Sequence, residues 1–471
     1  SPRMHLSHLI RPAIALSLSA AALAVALKVP ANDVVQHAVY LQPIAGLDAN
    51  QTRQFRDGEK LFNTPWLAIP NHQIPNWDYS LSAPGNSEWG LGPTFLAQNC
   101  VQCHIQAGRG HASENGQGPL FQQLVRLSVP GEDTHGGPNP EPVYGLQLQS
   151  FDTIPRADKN ARVGEGELHI DWAFEKVTLA DGSVVELRRP KIRLERLNFG
   201  PLAKDTMMSM RNAQAIFGLG LLEAVSEQDI LALAAAQKAQ GLNGRPNYVR
   251  DDVNNRTVIG RFGWKANQPH LRQQIAAAFI NDMGVTSPLY DQQNCPPAQA
   301  ECTKQNHTGK PELKAAMWDN ITFWTMMLDA PPARDQDKPN VMRGRELFAQ
   351  ARCASCHVPE LKTGQLEQFP MLSNRRIQPY TDLLLHDMGP NLADGRPDYK
   401  ASGSDWRTAP LWGIGMSKTV NGSTSFLHDG RARNLTEAIL WHGGEAQASR
   451  DAFAKMSKQE RDDLLTFLNA L

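Results

Sequence analysis

Two pentapeptides constrain this chain more than any other feature: Cys100-Val101-Gln102-Cys103-His104 and Cys353-Ala354-Ser355-Cys356-His357. Paired cysteines separated by two residues, with a histidine directly after, have the spacing of covalent c-type haem attachment. The two thiols can join the vinyl groups of one porphyrin, and the adjoining histidine then reaches the iron as proximal ligand. A zinc half-site would need further cysteines or histidines at ligand spacing. A thioredoxin-like pair lacks the trailing histidine and sits in a different fold. Two copies with similar flanking sequence favour haem over both. The residues read this way are Cys100, Cys103 and His104 for one group, and Cys353, Cys356 and His357 for the other.

The chain is also written twice. Gly58-Glu59-Lys60-Leu61-Phe62 returns as Gly344-Arg345-Glu346-Leu347-Phe348, a short helix upstream of each motif. Arg211-Asn212-Ala213 with Phe217-Gly218-Leu219-Gly220 returns as Arg407-Thr408-Ala409 with Trp412-Gly413-Ile414-Gly415. Matched landmarks in one order argue for a duplicated unit. A chain of 471 residues has room for two such units. We therefore expect an N-terminal cytochrome c-like domain with insertions over 32–335 and a C-terminal one over 336–471. The 36 glycines and 32 prolines suit loop-rich domains in which porphyrin supplies much of the core.

The fold class expected is mainly α. Ser226 caps an amphipathic run, residues 268–282 read as a helix, and Ser457-Lys458-Gln459-Glu460 is a capping box before the stripe Leu464, Leu465, Leu468 and Leu471. The exception is the alternating stretch 177–187 around Asp181-Gly182, which predicts a small β-hairpin insertion.

Residues 1–31 read as a signal peptide. Arg11 precedes an apolar run over 12–27, shorter than the roughly 20 residues that span a bilayer, and Val29-Pro30-Ala31 offers a cleavage site. An uncleaved anchor is the alternative. Export predicts a periplasmic protein from Asn32 onward, with no stable membrane insertion after cleavage. A formal net charge of −1 without basic clusters argues against a nucleic-acid partner.

The sixth iron ligand decides between an electron relay and a centre open to oxidant. For the second haem the residues offer Met388 and His442.

The stretch Phe426-Leu427-His428-Asp429-Gly430-Arg431-Ala432-Arg433-Asn434-Leu435 resembles the C-terminal signature of bacterial di-haem cytochrome c peroxidases and their MauG-type relatives. The longer run from Trp406-Arg407-Thr408-Ala409-Pro410 to Trp441-His442-Gly443-Gly444 is closest to the branch called di-haem oxidoreductases, sometimes labelled thiol oxidoreductases. Likeness extends to Gly90-Leu91-Gly92-Pro93, to residues 142–149, to 260–266 and to 384–389. The resemblance implies two covalently attached haems and a peroxidase-like oxidoreductase. Electrons from a small donor protein, a cytochrome c or cupredoxin, would enter at the second haem. They would leave at the first, to peroxide or another small oxidant. A non-catalytic electron carrier and a MauG-type oxidase of partner side chains are the alternatives.

In those peroxidases a Met fourteen residues after the His-Asp-Gly histidine ligates the second haem. Counting from His428 gives His442, which the resemblance favours over Met388. Near the first haem a distal carboxylate is expected. The peroxidase Phe-Trp-Asp-Gly-Arg turn is missing here, and Glu223 in its place is the first candidate, with Glu165 and Gln237 behind it. His111, His135 and His169 are candidate sixth ligands there, although an open iron is favoured. Arg407 and Arg431 suit propionates, since guanidinium pairs bidentately with carboxylate. Cys295 and Cys302 are expected as a structural disulfide, with a redox-active dithiol the alternative. Calcium is carried over from the family only weakly, because the turn from Asn421 to Ser425 offers carbonyls and no carboxylate.

Overall fold

The repeated glycines mark close helix crossings. In the computed structural model the first repeat lies in the helix Ala49–Asn63 and the second in Pro339–Gln350. A Cβ on Gly58 would run into the Asn320 carbonyl and the Trp324 side chain of the helix Ala315–Met327. A Cβ on Gly344 would meet the Asp463 carbonyl and Phe467 of the last helix, Lys458–Asn469. Only glycine admits backbones this close. The second landmark behaves alike: a Cβ on Gly220 would strike the Met326 carbonyl, and one on Gly415 the Asn469 carbonyl. Both halves thus present the same arrangement of a helix, a glycine turn and a second helix.

The structure describes residues 38–69, 82–155, 164–305 and 310–471. The expected signal peptide lies outside them. Among the described residues no helix is long and apolar enough to cross a membrane.

The expectation of a mainly α chain does not hold. The structure is 30% helix and 20% strand, with the strands divided among seven small sheets in the described residues. The insertions of the first half form strands rather than coil. Gln123–Glu132 alternates buried and half-buried positions and pairs antiparallel with Met207–Asn212 on one side and Pro138–Asn139 on the other. The hairpin expected over 177–187 is much longer. Glu167–Thr178 pairs with Val184–Glu195 in unbroken antiparallel register, from Glu167 opposite Glu195 to Thr178 opposite Val184. Its tip docks on the second half: Ala180 N–H donates to the Ala454 carbonyl at 3.0 Å, and Arg461 donates to Asp181 at 2.7 Å.

The predicted caps are present. Ser226 accepts from Asp229 N–H, and Ser457 with Glu460 forms the full capping box. Apolar burial, the main favourable term in folding, is not partitioned at residue 335. The largest core cluster joins Tyr40, Phe62, Leu222 and Trp324 to Leu361, Leu383, Leu384 and Trp412 from beyond it. A second cluster, with Phe348, Trp441, Phe453 and Phe467, takes in Leu179 and Leu187 of the hairpin.

Candidate functional site

Both pentapeptides fold into the same turn. His104 N–H donates to the Cys100 carbonyl at 3.1 Å, and His357 N–H to the Cys353 carbonyl at 3.0 Å. Each imidazole then fixes its Nδ1 on a distant carbonyl: His104 on Gln214 at 2.5 Å, His357 on Tyr380 at 3.0 Å. A ring that donates from Nδ1 presents Nε2 as a lone pair, the tautomer a metal ligand needs. Desolvation lowers both histidines, His357 to about 4, so both are neutral. The thiols of Cys100, Cys103 and Cys353 are pushed up to about 12, again by desolvation. Zinc sites need thiolates, which these surroundings disfavour.

His357 opens onto a large cavity in the second half. Its far wall is the helix Leu435–Trp441, ended by His442, whose Nδ1 bonds the Ala438 carbonyl at 2.7 Å. Desolvation keeps His442 neutral as well. The two rings face across the cavity with centroids 6.5 Å apart. One metal held by two imidazoles, at about 2 Å per metal–nitrogen bond, needs a ring separation of about 6 Å. Phe348, Leu411, Ile414, Leu464 and Leu468 supply apolar walls, and Met388 lines the cavity too.

Four arginines line the same cavity, Arg109, Arg352, Arg407 and Arg450. Arg407 and Arg109 are the ones that reach it from beside the first-motif half. Arg407 is 5% exposed and donates only to the Arg261 carbonyl (2.7 Å) and Gln214 Oε1 (3.0 Å), with its Nε unpartnered. Arg109 donates to the Ser425 carbonyl at 3.4 Å and lies over the Phe426 ring. Neither has a carboxylate within ion-pair distance among the described residues, Asp382 acting on Arg407 only from further off. Buried cations normally do, so this cavity fits a flat apolar group that brings its own acids, as a haem does. Arg431, by contrast, is turned onto Asp429, whose carboxylate it grips at 2.9–3.2 Å.

The model of the family described as "Di-haem oxidoreductase, putative peroxidase" matches residues 33–471. The chain belongs to the di-haem oxidoreductase family. No curated protein matches it. Two haems are therefore the cofactors of this oxidoreductase, and the two motifs are where their sites must be sought.

Around the first motif of this di-haem oxidoreductase, Cys103 Sγ contacts the Phe121 carbonyl at 3.0 Å. Phe121 is 61% exposed and stacks with Phe151, which stacks on Phe95, an apolar surface beside the cysteines of the first motif. Asp282 bears electrostatically on Cys100, Cys103 and His104. Desolvation raises its carboxyl against the pull of Arg126, and Gln147 donates to it at 2.9 Å. The sequence reading passed over Asp282, because its neighbours come from segments 135 to 182 positions away.

The sequence candidates scatter. Glu165 is buried and pushed up to about 8 by desolvation, while accepting from Gln149 N–H (2.7 Å) and Gln299 Nε2 (2.8 Å). It joins the Asp282 network, since Gln147 and Gln149 both donate to the Asn281 carbonyl. Glu223 instead accepts from Leu271 N–H at the start of the helix Leu271–Met283. Gln237 sits beside the second motif, donating to the Ser355 carbonyl and to Asp382. His111 bonds Gln122, His135 lies in the Asp133 turn, and His169 lies between Glu167 and Glu195. His169 accepts Gly118 N–H at Nδ1, so its Nε2 donates to those carboxylates and offers no lone pair to a metal.

His386, also missed, lines the second cavity between Asp382 (2.7 Å) and Glu445 (3.3 Å). Burial opposes its charge, but the bonds to Asp382 and Glu445 outweigh that and hold it up at about 12. A cation is thus built into the cavity wall. Cys295 and Cys302 form a disulfide, Cα atoms 5.6 Å apart. The Asn421–Ser425 turn spends its side chains on the first-motif loop: Asn421 donates to the Ile105 and Arg109 carbonyls, and Ser423 to that of Gly110.

Proposed function

We propose that this di-haem oxidoreductase is an exported c-type peroxidase. Cys100 with Cys103, and Cys353 with Cys356, each hold one haem covalently. His104 is the single imidazole ligand of the first, and His357 with His442 are the two ligands of the second. One observation carries the reading: the second cavity has an imidazole on each side, those of His357 and His442, with ring centroids 6.5 Å apart. The haems supply electron storage and oxidant binding.

The chain's own residues orient and protonate. Arg407 and Arg109 would hold the propionates of the second haem. Glu165, protonated at neutral pH, and Asp282 supply and recover protons at the first site, a role for carboxyls whose pKa is raised by burial. Electrons come from a small donor protein in the periplasm, one at a time, and the oxidant is peroxide or a similar small molecule. Calcium has no carboxylate to hold it at Asn421–Ser425 and is not part of the proposal.

The test is spectroscopic. Ferric and half-reduced protein should give one low-spin haem indifferent to cyanide and one haem that binds cyanide and reacts with peroxide. Two low-spin haems inert to both would leave an electron carrier in place of a peroxidase.

A further inference from the structure

One residue touches both sites. The segment Asn212–Gln214 leaves the strand Met207–Asn212 and runs between them. On one face, the Gln214 carbonyl accepts His104 Nδ1–H. On the other, its side-chain Oε1 accepts from Arg407 at 3.0 Å, and Arg407 faces the second cavity. The position of Gln214 is fixed by a closed ring of hydrogen bonds. Arg407 N–H donates to the Trp264 carbonyl at 2.9 Å, and Trp264 Nε1 donates to the Asn212 carbonyl at 2.9 Å. Asn212 N–H in turn donates to the His428 carbonyl in the second cavity wall at 2.7 Å.

We propose that Gln214 is a positioning residue that couples the two haem sites. The inference rests on the proposed placement of one haem at His104 and one between His357 and His442. The physical path is short. The bond a metal-bound imidazole makes through its second nitrogen sets its basicity, and with it the properties of the metal. Here that bond ends on Gln214. The same residue's amide is polarised by a guanidinium 5% exposed, whose free Nε has no partner within the described protein. Charge added to or removed from the second cavity changes the pull on that guanidinium. A changed pull on Arg407 moves the Gln214 side chain it holds, and with it the backbone carbonyl on His104, in an interior that screens such forces poorly. Backbone and side chain of one residue do both tasks, so they can be separated by substitution.

Gln214→Met keeps the carbonyl that holds His104 and removes the acceptor on Arg407. Gln214→Glu keeps an acceptor there and adds a charge. Each is compared with the unchanged protein by electron paramagnetic resonance of the ferric first haem, fully oxidised and after one electron has been delivered to the second haem. Haem content and thermal midpoint are checked alongside. In the unchanged protein, reduction of the second haem should shift the signal of the first. Gln214→Met should lose that shift with two haems still bound, and Gln214→Glu should retain it. Should Gln214→Met take up fewer than two haems, Gln214→Asn, which draws the amide back from Arg407, is read by the same criterion. An undiminished shift without the Arg407 acceptor overturns the proposal, and so does the absence of any shift in the unchanged protein. A protein that carries two coupled haems but ignores peroxide would instead overturn the peroxidase reading and leave this coupling intact.

Discussion

His442 and Glu165 are single side chains on which most of the proposed chemistry turns. An imidazole in place of a thioether lowers the potential of a haem, so His442→Met should raise the midpoint potential of the second haem in a potentiometric titration. An unchanged or lower midpoint would remove His442 from the iron. Glu165 makes a pH-dependent prediction. Burial raises it from an ordinary 4.5 to about 8, so the folded protein binds a proton there that the unfolded chain has released. Its contribution is complete below the unfolded value and is lost as pH rises through about 8. Thermal unfolding measured across that interval should decline less steeply in Glu165→Gln than in the unchanged protein. At this scale the two Cys-x-x-Cys-His motifs were legible because their spacing is local, and His442 stood out as a candidate because it lies a fixed count from His428. Asp282, His386 and the true place of Gln237 were not legible. Their partners converge only after folding, Gln237 and Asp382 being 145 positions apart.

Elements show where local pattern suffices and where it fails. The Gly-x-x-Leu-Phe repeat foretold two helices, and the structure adds why the glycine leads each: a neighbouring backbone carbonyl occupies the place of a Cβ. Gly344→Ala should therefore cost about 1–3 kcal/mol or more, as overpacking of a tight core does. Equilibrium unfolding at matched haem content would measure it, and a change within error would contradict the close crossing. Capped helices were legible, since caps and stripes are written in adjacent residues. The strands were not. Glu167–Thr178 is buried along four consecutive residues and then mostly exposed, so only its end, in the alternating stretch 177–187 around Asp181-Gly182, announced the hairpin.

At the level of the whole molecule, the two motif-bearing halves share an apolar core although each carries its own pentapeptide. Residues 336–471 expressed alone would expose Leu361, Leu372, Leu383, Leu384 and Trp412, all buried beside first-half residues. That fragment should be digested rapidly in limited proteolysis where the intact chain resists, and equal resistance would show the halves to be independent. The sequence could suggest duplication but not this sharing, because core contacts between halves leave no periodic trace.

Everything proposed requires two porphyrins fixed by thioether bonds at Cys100 with Cys103 and Cys353 with Cys356. Intact-mass measurement of the denatured protein, followed by peptide mapping, tests this directly. The protein should carry a mass increment of two haems, one on each pentapeptide, that survives unfolding and acid extraction. A bare polypeptide, with free thiols at both pentapeptides, would contradict it.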